Sequence, residues 1–239
     1  MLFRNRILSL LDKADLIALL PDMIEVSWSA GQVLYEVGGP VTHAHFPSTA
    51  GLSVVTVMSD NAAVECATVG YESAVGVLAA LSGQISTNRT FVQLAGSGIS
   101  VDAAALRRRA AQSPHLLDLL LRAVQTLIAQ EEQSVACNAL HETAPRLARW
   151  LLVCQDRLDT TQMMITQEYL AIMLGLQRAA VNAAAGVLRS EGLIRYSRGQ
   201  VEIVDRAALQ ARACECYGAV NHMHDRLLAA PGGTSGSQP

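Results

Sequence analysis

Polar side chains that can pair with the edges of nucleic-acid bases recur at helical spacing in the last third of the chain. Gln177, Arg178 and Asn182 belong to the residue types that bind adenine or guanine through two hydrogen bonds at once. Arg178 is the first choice for guanine, because arginine bound to the O6 and N7 atoms is the commonest specific contact. Apolar residues at the complementary positions would form a buried stripe that turns these side chains outward: Val181, Ala184, Ala185 and Leu188.

The segment around these residues has the plan of a winged helix-turn-helix. One helix is predicted over 166–174, with a threonine as its N-cap, and a second over 178–190. Gly175 suits the positive φ that a tight turn between them needs. Two short strands follow, at 193–197 and 200–204. Such a unit places its second helix in the major groove of DNA. The alternative interpretation of the segment is an ordinary helical hairpin whose polar residues are solvated.

The composition is that of a globular chain and not that of a general nucleic-acid binder. Charged residues make up 16% of the 239 residues, hydrophobic residues make up 51%, and the formal net charge is −3. These values exclude a disordered chain and a basic nucleic-acid coat. Residues 166–200 nevertheless carry four arginines against two glutamates. This local excess of positive charge suits a specific reader of DNA better than a bulk phosphate binder.

Neither an enzyme nor a membrane protein is expected. The sequence contains no Ser/His/Asp set at recognisable spacing, no Gly-rich phosphate loop and no H-E-x-x-H motif. The uncharged stretch 37–59 is interrupted by glycine, proline and histidine, which excludes a spanning helix. Residues 1–20 carry charges at helical spacing and predict an amphipathic helix instead of a secretory signal. We therefore expect a cytoplasmic protein with no membrane partner and no cofactor.

Five cysteines, at positions 66, 137, 154, 214 and 216, are an odd number and argue for free thiols over a disulfide framework. Two close pairs, Cys214-x-Cys216 and His222-x-His224, contain the residue types of a zinc site. Within one helix, residues two apart point about 200° away from each other, which disfavours chelation. We therefore predict no metal site here, although the sequence leaves open whether these four residues bind one.

The front of the chain predicts a strand-rich domain. Short alternating or apolar runs are separated by turns rich in glycine, and they cover 23–28, 32–37, 42–47, 52–58, 63–69, 89–95 and 98–102. Many short strands at this spacing indicate an antiparallel sandwich or barrel. Together with the helical remainder of the chain, they predict an α+β fold.

A long helix is predicted to start after Ser113, with that serine as N-cap and Pro114 in the first turn, and to end near residue 136. Apolar residues four and three apart form a seam along it, which Glu131 interrupts. The seam indicates either a contact between two copies of the chain or packing on the helix's own domain. Its members are Leu117, Leu121, Val124, Ile128 and Val135.

The remaining segments are shorter. Helices are predicted over 102–111 and 141–157, a short strand over 163–165, and a further helix from 205 through 217. The strand leads directly into the helix-turn-helix.

The strand-rich front, the long central helix and the winged helix, in this order, resemble the CRP/FNR superfamily of bacterial transcription regulators. The resemblance covers about residues 10–217. The segments that carry it are FPSTAGLSVVTVM (46–58), VGYESAVG (69–76), NRTFVQLAG (88–96), RLARWLLVCQDRL (146–158) and ITQEYLAIMLGLQRAAV (165–181). Members fold as a cyclic-nucleotide-binding-like β-roll, a dimerisation helix and a winged helix-turn-helix, and they bind palindromic operators as homodimers.

The resemblance implies a sequence-specific DNA-binding transcription regulator that acts as a homodimer on a palindromic operator in double-stranded DNA. The alternative is a sensor protein whose β-roll, binding a cyclic nucleotide or another anion, is the main functional site. The resemblance leaves open whether the protein also binds RNA polymerase and a small-molecule effector. The implied regions are a β-roll sensor domain (1–112), a dimerisation helix (113–137), a winged helix-turn-helix domain (138–220) and a flexible tail (221–239).

The resemblance also locates a weak candidate for an effector pocket, at Gly76, Arg89 and Thr90. In cyclic-AMP-binding members, a Gly-Glu pair and an Arg-Ser pair hold the ribose and the cyclic phosphate. Here Gly76 is followed by Val77, so the ribose-binding carboxylate is missing, whereas Arg89-Thr90 matches the second pair moderately well. An arginine beside a hydroxyl can hold an anion. We nevertheless expect Arg89 to be solvated or structurally paired, and we expect no binding of cyclic AMP.

Two other sensing chemistries of the family are not expected. Oxygen-sensing members hold an iron–sulfur cluster on cysteines near the N-terminus, and this chain has no cysteine before Cys66. His43 and His45 lie two apart in a predicted strand and so share one face, which makes them conceivable haem ligands. We expect them to be solvent-facing or hydrogen-bonded instead.

By the family's geometry, the start of the second helix of the helix-turn-helix meets the base edges, which matches the three base-pairing candidates given above. Many members carry a glutamate beside the arginine, which reads cytosine. Ala179 occupies that position here, so the half-site should differ from the best-known operators of the family. Thr166 and Gln167, at the start of the first helix, and Arg198, at the tip of the wing, are candidates for phosphate contacts.

Overall fold

The computed structural model describes residues 3–60, 62–83, 85–158, 162–197 and 199–229. A strand-rich N-terminal part is followed by one long helix and by a helical C-terminal part with a small sheet. This arrangement confirms the predicted α+β class and the predicted order of the three parts. Arg198 and residues 230–239, for which the sequence predicted a wing tip and a tail, lie outside the described residues.

The chain begins with two short helices, α1 (Arg6–Ser9) and α2 (Lys13–Leu19), so the prediction of one amphipathic helix was wrong. Asp12 divides them. Its side chain accepts a hydrogen bond from the backbone N–H of Asp15 at 2.7 Å and thereby caps the start of the second helix. Both helices still bury an apolar side, formed by Ile7, Leu8 and Leu19.

Seven strands form two antiparallel sheets, and all seven were predicted from the sequence. They are β1 (Met23–Trp28), β2 (Val33–Tyr35), β3 (His43–Pro47), β4 (Gly51–Val57), β5 (Ala63–Val69), β6 (Arg89–Leu94) and β7 (Gly96–Asp102). One sheet has the order β1-β7-β3 and the other the order β2-β6-β4-β5. Strands β4, β6 and β7 are buried over three or more consecutive residues, and a shared core of the two sheets includes Trp28, Leu52, Val54, Val69 and Val92.

Two helices interrupt or follow these strands. Helix α3 (Val77–Ser82) was not predicted, because six apolar and small residues between two glycines carry too little periodicity to separate a helix from a strand. Helix α4 (Ala103–Ala110) was predicted. It begins where the side chain of Asp102 accepts a hydrogen bond from the backbone N–H of Ala105 at 2.8 Å.

The long helix α5 (Pro114–Leu140) starts as predicted, with the hydroxyl of Ser113 accepting a hydrogen bond from the backbone N–H of Leu116 at 3.1 Å. It continues to Leu140, beyond the predicted end near residue 136. One side is buried against the N-terminal core through Leu116, Leu119, Leu120 and Ala123. Most of the predicted seam lies on the other side: the exposed fractions are 38% for Leu117, 52% for Leu121, 44% for Ile128 and 71% for Val135. Val124 is partly buried against the core.

The C-terminal part contains the elements of the predicted winged helix-turn-helix. Its elements are α6 (Thr143–Gln155), β8 (Gln162–Met164), α7 (Gln167–Leu174), α8 (Arg178–Ser190), β9 (Ile194–Ser197) and β10 (Gln200–Ile203). The three strands form an antiparallel sheet in the order β8-β10-β9. The apolar sides of α6, α7 and α8 meet in one core that includes Leu151, Leu170, Val181 and Leu188.

Two helices end the described chain, α9 (Arg206–Arg212) and α10 (Cys216–Leu227), and they correct two predictions. A single helix through Tyr217 was wrong, because Ala213 is extended and the backbone N–H of Cys214 bonds instead to the carbonyl of Pro145. A flexible tail from residue 221 was also wrong. Helix α10 continues to Leu227 because one side of it, with Tyr217, Val220 and His224, is buried.

The C-terminal part is seated on the N-terminal sheet. Val55 of β4 and Leu94 of β6 belong to the same apolar core as Leu151 and Met173.

No single helix among the described residues is long and apolar enough to cross a membrane. Helices α7 and α8 reach that length and composition only together, and a bend of 107° separates them.

Candidate nucleic-acid interface and sensor cavity

The turn between α7 and α8 follows from two residues that the sequence singled out. The hydroxyl of Thr166 accepts a hydrogen bond from the backbone N–H of Tyr169 at 3.1 Å and fixes the start of α7. Gly175 ends the same helix with φ at +62°, which a residue with a side chain rarely adopts. The chain then enters α8 at a sharp angle, so that the start of α8 is exposed.

Burial of one side of α8 determines which side chains face outward. Val181, Ala184, Ala185 and Leu188 are buried in the domain core. Gln177, Arg178 and Asn182 consequently lie on the exposed side, as predicted. Arg189 is exposed as well. It lies on the same side of α8 as Arg178, because their separation of eleven residues corresponds to about three helical turns.

One hydrogen bond joins the two helices of the motif at this surface. The side-chain amide of Gln167 donates to the Oδ1 atom of Asn182 at 3.0 Å. Recognition of adenine by asparagine uses the oxygen as an acceptor and the amide as a donor together. In this arrangement the oxygen of Asn182 is engaged, and its amide group is the part directed to other partners.

A cleft of 520 Å³ brings several of the predicted residues together with the wing. Thr166, Gln167 and Arg178 line it, and so do Arg189 on α8 and Tyr196, Ser197 and Gly199 at the wing. The hydroxyl of Tyr196 donates to the carbonyl of Ile165 at 2.9 Å and holds β9 beside α7. Sequence reasoning counted Arg189 in the local positive charge without assigning it a contact, and it gave Tyr196 no role.

The N-terminal domain encloses a cavity of about 220 Å³ between β-strands, α3 and the long helix α5. Gly76 and Thr90, two of the three predicted pocket residues, line it. Gly76 has φ at +79°, and a Cβ atom there would lie 2.3 Å from the hydroxyl oxygen of Tyr35. This glycine is therefore required by close packing at the cavity as well as by its backbone conformation.

Arg89, the third predicted pocket residue, is not among the residues that line the cavity. Its Nε atom lies 3.4 Å from Oε1 of Glu36, and both side chains are substantially exposed. Glu131 of α5 contributes a carboxyl group to the cavity lining instead, and burial raises the pKa of that group. Among the described lining residues there is consequently an acid but no lysine or arginine.

His43 and His45 are hydrogen-bonded in β3, as expected. The Nδ1 atom of His45 lies 2.6 Å from the hydroxyl of Ser100, and its ring stacks on Tyr35 with centroids 5.4 Å apart. Burial lowers the pKa of His45 to about 4, with a smaller contribution from the charge of His43. His45 is therefore neutral at physiological pH.

Two buried carboxylates connect the N-terminal sheet to α6 and the segment after it, and no sequence pattern indicated either of them. Glu65 accepts hydrogen bonds from Trp150 Nε1 at 2.8 Å and from Ser53 at 2.5 Å. Glu72 pairs with Arg157, and both side chains are nearly inaccessible to solvent. Contacts between residues far apart in the chain create both carboxylate sites.

Four side chains in the C-terminal part have the types and positions of a metal site. Cys137, His141, Cys214 and Cys216 place one ligand atom each within 4.8 Å of one another. His222 and His224, which the sequence grouped with the last two cysteines, do not belong to this cluster. The two cysteines themselves can converge, because Cys214 precedes α10 and Cys216 begins it, so that they do not lie within one continuous helix.

Comparisons with known proteins agree with this geometry. Residues 145–212 match the model of the Crp-like helix-turn-helix domain. No curated protein matches the sequence. A solved protein from Eubacterium rectale, assigned to the CRP/FNR family of transcriptional regulators, is 15% identical, with a TM-score of 0.70 over 84% of this chain and 94% of that one.

Two further solved structures have the same fold. FixK2 from Bradyrhizobium japonicum is 18% identical, with a TM-score of 0.66 over 80% of this chain and 98% of that one. A CRP-family transcriptional regulator from Thermus thermophilus is 20% identical, with a TM-score of 0.65 over 79% of this chain and 96% of that one.

Proposed function

Since this chain has the fold of the CRP/FNR transcription regulators and carries their Crp-like helix-turn-helix domain, we propose that it binds a palindromic operator in double-stranded DNA as a homodimer. The observation that carries the proposal is the exposed start of α8, where Gln177 and Arg178 lie beside the cleft at the wing. We assign residues 1–112 to the sensor domain, α5 to dimerisation, and the chain from residue 138 to DNA binding.

The residues at this surface have different roles in the proposal. Arg178 reads guanine and Gln177 reads a neighbouring base, because both are exposed at the start of α8. Thr166, Gln167 and Arg189 contact phosphates and fix the register of the protein on the duplex. Arg198, which lies outside the described residues, keeps the phosphate contact that the sequence predicted for it. Gln167 also orients Asn182 through their shared hydrogen bond.

Selection of DNA from a random pool with the purified protein tests this function. Enriched sequences should contain two inverted half-sites separated by about one helical turn, because two α8 helices related by a two-fold axis enter successive major grooves. Footprinting across the genome should then recover the same sequence. Recovery of sequences without two-fold symmetry would contradict the proposed mode of binding.

The exposed seam of α5 supports the homodimer. Leu121, Ile128 and Val135 leave a row of apolar surface on a helix whose opposite side is already buried. A second copy of the same helix, packed in parallel, would bury this row and bring two α8 helices to one side of the assembly.

We predict that the double substitution Leu121→Glu and Ile128→Glu converts the dimer to a monomer. Each carboxylate would lie in the contact between two helices, where burial of an unpaired charge is unfavourable. Sedimentation velocity measures the change, and operator affinity should fall with it. Ile24→Glu is the matched control, because Ile24 is 53% exposed on β1, away from α5. A dimeric double variant would show that this seam is not the contact.

A sensor function of the β-roll is the second candidate, and the cavity beside Gly76 and Thr90 favours it. The described lining residues provide the Glu131 carboxyl and no positive charge, which is unfavourable for an anion. We therefore predict that cyclic AMP produces no binding heat in calorimetry and no change in operator affinity. Saturable binding of cyclic AMP would instead require Arg89 to leave Glu36 and turn toward the cavity.

A further inference from the structure

We propose that Cys137, His141, Cys214 and Cys216 bind one zinc ion, which joins the end of the long helix to the C-terminal helix. Three thiolates and one imidazole are an established set of zinc ligands in closed, structural sites. Nothing in the DNA-binding or sensor functions uses these residues.

The distances between the ligand atoms fit a single tetrahedral ion. Zinc–sulfur bonds of about 2.3 Å and zinc–nitrogen bonds of about 2.0 Å place neighbouring ligand atoms roughly 3.5–3.8 Å apart. The sulfur atoms of Cys137 and Cys214 are 3.5 Å apart, and Sγ of Cys216 is 3.4 Å from Nδ1 of His141. All four ligand atoms lie within 4.8 Å of one another. Two of the separations already match those around a tetrahedral ion, and the others need to shorten by at most about 1 Å to receive it.

Two chain segments, each with a pair of ligands, provide the site. Cys137 lies in the last turn of α5 and His141 is four residues later, at the end of that helix, so that both point the same way. Cys214 and Cys216 lie on either side of Glu215, the N-cap of α10, where the backbone changes direction. This bend brings together two thiols that a continuous helix would separate.

Groups around the four ligands favour a thiolate-rich site. The side-chain amide of Gln133 donates to Sγ of Cys216 at 3.0 Å. Oε1 of Glu215 lies 3.9 Å from Nε2 of His141, so a carboxylate faces the ring nitrogen that does not meet the sulfurs. Arg149 is buried, and its positive charge acts on Cys137 and Cys214. It offsets the net negative charge of a zinc ion bound by three thiolates.

The burial of the cysteines points to the same conclusion. Cys137 and Cys216 are completely inaccessible and Cys214 is 8% exposed, and the three form a cluster separate from the large apolar cores. A closed, buried site of this kind is structural, because no open position remains for water or substrate. The ion would fasten α10 to α5 next to the helix-turn-helix domain.

Metal analysis of the wild-type protein, purified with a thiol reductant and without a chelator, tests the proposal. We expect about one zinc per chain, and X-ray absorption should give zinc–sulfur distances of about 2.3 Å with one nitrogen ligand. Co²⁺ in place of Zn²⁺ should give the intense absorption of a tetrahedral thiolate site. Far less than one zinc per chain, even after refolding with added Zn²⁺, would overturn the proposal, and so would a Cys137–Cys214 disulfide in the reduced preparation.

Variants separate the four ligands from other cysteines and histidines. Cys216→Ser and His141→Ala should each lose most of the bound zinc, whereas His141→Cys should retain it, because four thiolates also bind zinc. Cys66→Ser and His222→Ala are the matched controls and should keep the wild-type zinc content, since neither residue belongs to the cluster. Full zinc content in soluble Cys216→Ser would overturn the assignment. If that variant does not fold, the X-ray absorption of the wild-type protein still shows whether sulfur and nitrogen ligands bind the zinc.

Discussion

Replacement of Arg178 by alanine is expected to weaken binding to the selected operator by about 1–3 kcal/mol, which is roughly a 5- to 150-fold loss of affinity. The exposed guanidinium at the start of α8 pairs with two atoms of guanine in the proposal, and alanine cannot replace either hydrogen bond. The variant should also accept other bases at one position of each half-site. Mobility shifts on a set of operator variants measure both effects at a fixed salt concentration.

Two other arginines provide the comparison. Arg189→Ala should weaken binding to all sequences alike and reduce the dependence of affinity on salt, because a phosphate contact carries no base preference. Arg212→Ala should change neither quantity, since Arg212 pairs with Glu191 outside the cleft. Unchanged specificity in Arg178→Ala would remove Arg178 from base recognition.

Replacement of Arg157 by methionine should lower the free energy of unfolding by about 3–5 kcal/mol, because it leaves the buried carboxylate of Glu72 without its partner. Burial by itself would raise the pKa of Glu72. The charge of Arg157 and hydrogen bonds such as that from the backbone N–H of Gly70 outweigh burial and hold the pKa below its usual value. Urea denaturation followed by circular dichroism measures the loss.

The sign of the pH dependence follows from this lowered pKa. The ionised form of Glu72 is favoured in the folded state, so the stabilisation is present above the ordinary carboxyl pKa and is lost as the pH falls below it. In Arg157→Met this acid-dependent loss should be smaller, since burial without a partner raises the pKa of Glu72.

Two variants test whether the buried charge is the cause. Adding Glu72→Gln to Arg157→Met should recover part of the lost stability, because the unpaired charge is then gone. Arg195→Met breaks the exposed pair with Glu202, where 72% of the arginine side chain is accessible, and should cost less than about 1 kcal/mol. Equal losses from Arg157→Met and Arg195→Met would contradict the role of burial.

Local patterns in the sequence were sufficient to predict most of the helices and strands of the fold. All seven strands of the N-terminal domain and both helices of the helix-turn-helix were predicted, because alternation, apolar periodicity, glycine turns and caps act between residues close in the chain. Prediction failed where tertiary packing decided the outcome. The short helix α3 lacks a periodic signal, and α10 extends past residue 221 because α5 buries one side of it.

The candidate sites were also predictable only where they depend on residues close together in the chain. Helix periodicity was enough to place Gln177, Arg178 and Asn182 on the outer side of α8. It also located the seam of α5, but only the structure showed that most of the seam is exposed. The structure agrees with the expectation that Arg89 is solvated or paired, but its partner Glu36 could not be predicted, because that residue lies on a different part of the chain. The hydrogen bond from Gln167 to Asn182 likewise depends on the crossing of two helices.

The succession of a strand-rich domain, a long helix and a winged helix-turn-helix follows from the sequence alone, because each of these elements depends on the spacing of nearby residues. Which distant polar groups meet depends on how the elements pack against one another. Glu72 and Arg157 are 85 residues apart in the chain, and Cys137 and Cys214 are 77 apart. Pairs of this kind have no periodicity to reveal them, because they form only when separate elements pack together.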